Sequence, residues 1–125
     1  MKVSWAILGV LLPGLAKGCL VVSGQISDGF ETQFEVTAVD NGLQTCSFTC
    51  SGDIDNCGGG CLGGYSGTIY TDSNWESWLT LDYCNPSNCY SVQVDATNVF
   101  CEDCCGGDIP CTCCATTYYG GFFGC

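Results

Sequence analysis

The sequence is nearly devoid of basic residues. Among its 125 residues only Lys2 and Lys17 are basic and histidine is absent, whereas 13 residues are acidic. About a dozen bases would be expected, because roughly a quarter of an average domain is charged. Binding of nucleic acid requires basic side chains that neutralise phosphates, and anionic membranes repel an acidic protein. The composition therefore predicts that neither nucleic acid nor a membrane is a partner.

The same absence restricts catalysis. Without histidine neither a Ser-His-Asp nor a Cys-His arrangement can form, and beyond residue 17 no lysine can serve as a base. A pair of carboxylates, as in glycosidases, is the remaining option. We expect the acids that could supply it to be solvated surface residues: Glu76, Asp82, Asp95, Glu102 and Asp103. We therefore predict a non-enzymatic protein with no catalytic residues and no cofactor.

The N-terminal segment is typical of a secretory signal peptide. Lys2 precedes an apolar run over residues 3–12, which is shorter than the roughly 20 residues that a membrane-spanning helix needs. Small residues follow, so we expect cleavage after Gly18 or, alternatively, after Ala16. A bacterial lipoprotein signal also ends at a cysteine, but Lys17 fits that signal poorly.

Removal of residues 1–18 would leave a single domain over residues 19–125, secreted into the extracellular space. This domain would contain no Lys or Arg, so trypsin-like proteases would find no cleavage site. Two explanations of this composition remain open. It reflects either drift in a lineage that tolerates acidic proteins or selection for survival among extracellular proteases.

Cysteine is the most informative residue type. All 14 cysteines lie beyond residue 18, and their share exceeds the roughly 8–10% that marks a disulfide scaffold in a short secreted chain. Zinc-like spacing occurs in Cys101-x-x-Cys104 and in the run of Cys46-x-x-x-Cys50 and Cys57-x-x-x-Cys61, but an oxidising compartment favours disulfides. We therefore expect no metal site. Every cysteine is predicted to form a disulfide: Cys19, Cys46, Cys50, Cys57, Cys61, Cys84, Cys89, Cys101, Cys104, Cys105, Cys111, Cys113, Cys114 and Cys125.

Residues 30–50 predict a β-hairpin. A three-residue loop over 40–42, with Gly42 in the left-handed conformation, places apolar side chains on one face and polar side chains on the other. A two-residue loop at Asn41-Gly42 would mix the two faces, so we favour the longer loop. The favoured register pairs Val39 with Leu43, Phe34 with Phe48, Val36 with Cys46 and Thr32 with Cys50.

A second hairpin is predicted over residues 75–98, with Pro86 in a turn at 85–88. Cys84 then lies opposite Cys89, at a separation that a disulfide spans. The same register again sorts apolar from polar side chains. It pairs Tyr83 with Tyr90, Leu81 with Val92, Leu79 with Val94, Ser77 with Ala96 and Trp78 with Asp95.

The remaining segments complete an all-β prediction. Strands are expected over residues 19–26 and 66–71, and the first of them extends the first hairpin into a three-strand meander. Residues 100–125 lose the alternation, so we predict an irregular cysteine-rich cap, with a bridge between Cys19 and Cys125. The predicted fold is a small, mostly antiparallel β-sandwich or barrel stapled by disulfides.

Trp78 and Asp95 are the candidate ligand-contacting residues. Trp78 falls on the polar face of the second hairpin, where an indole ring beside hydrogen-bond acceptors can stack on a sugar. Alternatively, Trp78 lies under the C-terminal cap or between two sheets. Asp53 and Asp55 imitate the start of a calcium loop, but Gly64 stands where that loop needs a glutamate, so no EF-hand is expected.

Four features occur together in this chain: a signal peptide, a short mature part, the doublets Cys104-Cys105 and Cys113-Cys114, and no enzyme motif. This combination resembles the small secreted cysteine-rich proteins of filamentous fungi. The resemblance covers the whole chain and is one of composition. It implies an effector-like, virulence-associated monomer that acts on a host or extracellular protein or polysaccharide. The alternatives are a carbohydrate-binding or cell-wall-associated protein and an acid-dependent glycosidase.

Overall fold

The computed structural model describes residues 19–71, 75–104 and 112–125. Every regular element in these ranges is a β-strand, in line with the predicted all-β class. No helix in the described part of the chain is long and apolar enough to cross a membrane. The strands are β1 (Leu20–Asp28), β2 (Thr32–Asp40), β3 (Leu43–Gly52), β4 (Asn56–Gly58), β5 (Gly60–Cys61), β6 (Ser66–Tyr70), β7 (Trp78–Cys84), β8 (Cys89–Asp103) and β9 (Thr112–Phe122).

The nine strands form one antiparallel sheet in the order β4-β6-β7-β8-β9-β1-β2-β3-β5. Its two edge strands, β4 and β5, are consecutive in the chain and only Gly59 separates them. The Gly59 amide donates to the Gly67 carbonyl over 2.9 Å, and a Cys50–Cys57 disulfide joins β3 to β4. The sheet is therefore nearly closed and barrel-like, as the predicted stapled barrel requires.

Alternate side chains of the strands point inward and form one hydrophobic core. The Phe48 ring occupies the space beside Gly59, where an added Cβ would lie only 2.6 Å from Phe48 Cε1. A glycine is thus needed for the chain to cross over this ring between β4 and β5. The largest fully buried side chains are Tyr83, Tyr118, Phe34, Phe48, Leu20, Ile26, Ile69, Leu79, Leu81, Val22, Val36 and Val94.

The predicted register of the first hairpin is wrong. Asn41 and Gly42, with φ of 52° and 82°, form a two-residue turn that pairs Asp40 with Leu43. A β-bulge then inserts Thr45, and Val36 pairs with Phe48. Because the bulge shifts the register by one residue, it restores the sorting of apolar and polar faces that a two-residue loop alone would lose. Apart from Thr45, which is buried, the faces are as predicted, whereas the cross-strand partners beyond the bulge differ by two residues.

The second hairpin has the predicted register throughout. Tyr83 pairs with Tyr90 and Trp78 with Asp95, and the Ala96 amide donates to the Ser77 carbonyl over 2.8 Å. The turn is held by the Asn85 side chain, whose Oδ1 accepts hydrogen bonds from the amides of residues 87 and 88 over 2.9 and 2.8 Å.

The prediction of an irregular C-terminal cap is wrong. β8 continues to Asp103, and β9 lies between β8 and β1 in the middle of the sheet. Along β9, Thr116 and Tyr118 are buried, whereas Thr117 and Tyr119 are exposed. Cysteine doublets and paired glycines hide this alternation in the sequence, so long-range pairing rather than local pattern places the strand.

Six disulfides join all the cysteines in the described residues. The predicted bridges Cys19–Cys125 and Cys84–Cys89 are confirmed. Cys113 and Cys114 do not bond each other, and both reach the end of β8. Cys105 and Cys111 lie outside the described residues. The bridges, with their Cα separations, are Cys19–Cys125 (4.9 Å), Cys46–Cys61 (4.1 Å), Cys50–Cys57 (5.9 Å), Cys84–Cys89 (4.0 Å), Cys101–Cys114 (4.0 Å) and Cys104–Cys113 (5.7 Å).

Candidate functional site

The two ends of the barrel-like sheet differ in construction. One end, which we call the turn end, carries the turns at residues 41–42 and 85–88 and the Cys19–Cys125 bridge. At the opposite end, which we call the cavity end, β1, β3, β6 and β8 finish and β2, β4, β7 and β9 begin. Two neighbouring cavities lie at the cavity end. Since small ligands bind in concave sites, this end is the candidate functional site.

The larger cavity has a volume of about 320 Å³. Its wall is assembled from five separate segments of the chain, which meet because the antiparallel strands bring their ends together. Apolar, acidic and hydroxyl side chains all contribute to it. The wall consists of Trp75, the isoleucines Ile26 and Ile54, the carboxylates Asp28 and Asp55, and the threonines Thr32 and Thr71.

Trp75 is held in place through Tyr118. The Tyr118 hydroxyl donates a hydrogen bond to the Trp75 backbone carbonyl, and Tyr118 is fully buried. Burial raises the pKa of Tyr118 to about 12, because the phenolate would be poorly solvated in the core. The hydroxyl therefore remains a donor at every physiological pH, and it fixes the backbone of a half-buried tryptophan.

A second part of the wall is held through Thr71. Its amide and its Oγ1 both donate to the Asp55 carbonyl, over 2.8 and 3.0 Å. One Asp55 carboxylate oxygen accepts a hydrogen bond from the Asn56 side chain over 3.0 Å, and the Asp28 carboxylate accepts none from the described residues. Both acids are exposed to solvent. The carboxylates thus retain free acceptor positions within a rim whose backbone is fixed.

The smaller cavity, of about 220 Å³, shares Asp28 with the larger one. Phe30 beside it and Phe100 in its wall are 87% and 60% exposed, the two highest values among the large apolar side chains. Carboxylates of Glu31 and Glu102 also line this cavity. We call these five residues (Asp28, Phe30, Glu31, Phe100 and Glu102) the acidic-aromatic rim.

The residues predicted from the sequence lie elsewhere. Trp78 and Asp95 face each other across β7 and β8 as expected, and Trp78 is half-buried while Asp95 is exposed. The Asp95 carboxylate accepts a hydrogen bond from Gln93 over 3.2 Å. Neither residue lines the two cavities at the cavity end, so their contact with a ligand stays a prediction. The sequence did not distinguish Trp75 as a site residue, because its cavity partners other than Thr71 are distant in the chain.

The acids considered for catalysis lie in several different surroundings. The Asp82 carboxylate accepts a hydrogen bond from Ser91 over 2.8 Å on the outer surface, and Glu102 belongs to the acidic-aromatic rim. Glu76 lies beside Cys101 and Cys114, with potential ligand atoms within 4.8 Å of one another. These two cysteines form a disulfide and offer no thiolate, so this group retains a single carboxylate for a metal.

The cysteines with zinc-like spacing are bridged as well. Cys101 and Cys104 bond Cys114 and Cys113, and the four cysteines between residues 46 and 61 bond one another. In the described ranges the thiol groups are therefore used for disulfides rather than for metal binding.

Comparison with known proteins gives no relative for this arrangement. No protein-family model matches the sequence, and no curated protein or solved structure matches it either. The function is therefore inferred from the chemistry of the cavity end itself.

Proposed function

We propose that this is a secreted, non-enzymatic interaction protein, effector-like in character, that binds a host or other extracellular macromolecule through its cavity end. The acidic-aromatic rim carries this proposal. Phe100 is an exposed ring in the wall of the smaller cavity with three carboxylates, and the exposed Phe30 lies in the chain between Gly29 and Glu31 of the same wall. Scattered exposed apolar residues are common, but aromatic rings grouped around a concave surface are typical of interaction sites.

The disulfides support an extracellular location. Six bridges in so small a domain are typical of proteins that fold in an oxidising compartment. The predicted signal peptide and the absence of Lys and Arg beyond residue 17 agree with a protein that persists among proteases. We propose that the disulfides and this composition together serve survival outside the cell.

A binding assay with matched variants tests the proposal. The purified protein is labelled and its retention on immobilised extracellular proteins and on insoluble cell-wall fractions is measured. Replacing Phe30 and Phe100 by Ser should reduce retention at least tenfold, since both rings belong to the proposed contact. The control is Leu43→Ser, because Leu43 is 50% exposed but lies at the turn end. Equal retention of the rim variant and the parent would disprove binding through the rim.

Carbohydrate binding is the second candidate, supported by Trp78. The confirmed register places this half-buried indole beside the exposed carboxylate of Asp95, a combination of stacking surface and hydroxyl acceptor. Retention on an insoluble polysaccharide that disappears in Trp78→Ala would favour this candidate. A glycosidase is less well supported, because both carboxylates of the larger cavity are exposed, whereas a general acid is usually tuned by burial.

A further inference from the structure

We infer that the larger cavity binds an organic cation carried on an aliphatic chain: the ammonium or guanidinium group of a Lys or Arg side chain, or of a free polyamine. The inference rests on the proposed function for the location of the partner and adds the chemical group that this partner presents. It uses the cavity wall rather than the exposed rings of the acidic-aromatic rim.

Charge is the first argument. Asp28 and Asp55 line the same cavity, and beyond residue 17 the chain has no Lys, Arg or His that could neutralise them. Two like charges on the wall of a partly enclosed space reinforce each other's potential. An anionic ligand would be repelled, whereas a cation would supply the counter-charge that the protein itself lacks.

The apolar part of the wall is the second argument. Ile26 is 1% exposed and Ile54 is 36% exposed, and both lie in the same wall as the half-buried Trp75. Lys and Arg bury their methylene stems along apolar surfaces while their charged heads reach polar groups. An indole ring is also the aromatic surface that attracts a cation most strongly.

The hydroxyl groups complete the site. Thr71 Oγ1 donates its only hydrogen bond to the Asp55 carbonyl, so its lone pairs remain able to accept a hydrogen bond. Ammonium and guanidinium groups carry only donors, and they therefore match a wall of carboxylate and hydroxyl acceptors. Because hydrogen bonds from Tyr118 and Thr71 already hold the backbone at Trp75 and at Asp55, binding requires little ordering of these parts of the wall.

The wall fits an organic cation better than a metal ion. Calcium takes six to eight oxygen ligands, whereas here two carboxylates and two hydroxyls are interrupted by two isoleucines and a tryptophan. A volume of about 320 Å³ lies at the lower end of the range for small-molecule sites, which suits one side chain or a small amine.

Tryptophan fluorescence provides the test. In the Trp78→Phe background, Trp75 is the single tryptophan beyond residue 18 and reports directly on the cavity. The probes are N-acetyl-lysine amide, N-acetyl-arginine amide, spermidine, a neutral glucose oligomer and calcium chloride. We expect saturable binding of the cationic probes, weakened about tenfold by Asp28→Asn and again by Asp55→Asn, and weakened by added salt. Asp95→Asn is the matched control and should leave the affinity unchanged.

The outcomes distinguish the sources of the cation. Tighter binding of the amino-acid amides than of spermidine supports a protein side chain, and the reverse order supports a free polyamine. Saturation by the glucose oligomer or by calcium, without the cations, would overturn the inference, as would unchanged affinity in both Asp variants. Urea unfolding of the Asp variants confirms that they are folded, since both positions are exposed.

Failure of this inference is separable from failure of the proposed function. If the cations do not bind but Phe30→Ser with Phe100→Ser still abolishes retention on the macromolecule, the inference falls and the proposed function stands. If the cations bind but retention does not depend on the rim, the cavity assignment holds and the proposed rim contact is wrong.

Discussion

The turn end and the cavity end are built from the same strands, but their polar side chains differ in whether they hydrogen-bond within the fold. At the turn end, the buried Tyr83 hydroxyl donates to Asp40 Oδ2 over 2.9 Å, and Thr45 Oγ1 lies 2.8 Å from the same hydroxyl. At the cavity end, Asp28 accepts no hydrogen bond from the described residues, and two phenylalanine rings face solvent. Polar groups that partner within the fold stabilise it, whereas free ones can bind other molecules.

The disulfides at the two ends differ in the length of chain that they enclose. Cys19–Cys125 at the turn end joins residues 106 apart and encloses every other bridge of the described chain. Cys101–Cys114 and Cys104–Cys113 at the cavity end span only 13 and 9 residues. The turn end has the bridge with the largest effect on chain entropy together with the local Cys84–Cys89 bridge, whereas both of these bridges at the cavity end are local.

Removal of the long bridge should have the largest effect. Replacing Cys19 and Cys125 by Ser should lower the free energy of unfolding by about 4–5 kcal/mol, because it frees the longest loop in the denatured chain. The matched double variant of Cys101 and Cys114 should lose about 3 kcal/mol, since its loop is short. Guanidinium unfolding measures both. A larger loss in the Cys101 and Cys114 variant would invert the comparison of the two ends.

Tyr83→Phe should destabilise the turn end. The variant leaves the Asp40 carboxylate and the buried Thr45 hydroxyl without their partner, which costs about 1–3 kcal/mol. Tyr119→Phe is the control, because Tyr119 is 59% exposed and makes no comparable contact. Urea unfolding at pH 7 should separate the two variants. Equal stabilities would mean that the buried hydrogen bonds contribute nothing to the turn end.

Alkaline pH should destabilise both ends through buried tyrosines. Burial raises the pKa of Tyr118 from 10.0 to about 12 and that of Tyr83 still further. Between pH 10 and 12 the unfolded chain loses these protons while the folded protein keeps them. The free energy of unfolding therefore falls as pH rises, by about 1.4 kcal/mol per pH unit for each tyrosine. Below pH 9 both tyrosines are protonated in the folded and the unfolded chain, so they should not make the free energy of unfolding depend on pH.

The slope of stability against pH checks this prediction. The free energy of unfolding, measured after short incubation between pH 9 and 11, should fall less steeply with pH for Tyr118→Phe than for the parent. The same slope in both proteins would show that Tyr118 is not protected from ionisation in the fold.

The smallest effect on stability should come from the acidic-aromatic rim. Phe30→Ser should change the free energy of unfolding by less than about 0.5 kcal/mol, because the ring is 87% exposed. Thermal unfolding measures it, with the buried Phe34→Ala as the opposite case, expected to lose about 3–5 kcal/mol. A strong destabilisation by Phe30→Ser would mean that the ring serves the fold rather than a partner.

The second hairpin shows what local pattern can predict. Apolar and polar side chains alternate along its strands, Pro86 fits the turn, and Cys84 and Cys89 flank the turn. A single register agrees with all three features. The same reasoning gave the wrong register for the first hairpin. A bulge at Thr45 allows a two-residue turn while apolar and polar side chains still lie on opposite faces. The bulge turns Thr45 inward, where its hydroxyl meets Tyr83, a partner 38 residues away. Local pattern contains no information about that contact.

The candidate site was less predictable than the fold. The sequence favours Trp78 as a ligand contact because this residue is on a polar face. The cavity wall instead contains Trp75, three residues earlier, in a segment where apolar and polar residues do not alternate. Asp28 has no signal of its own in the sequence, and Asp55 stands out there only in the pattern that imitates a calcium loop. They became a candidate pair only because the ends of β1 and β6 and the segment before β4 converge at one end of the sheet.

The sequence by itself determined the all-β class, the register of the second hairpin and the absence of basic side chains beyond residue 17. These depend on side-chain alternation, turn chemistry and composition, which act over a few residues or need no structure. The tertiary structure alone decided that β9 lies at the centre of the sheet, that Thr45 turns inward and that Asp28, Asp55 and Trp75 share a cavity. Those features depend on burial and pairing between residues that are far apart in the chain, so their free energies cannot be assigned before the partners are known.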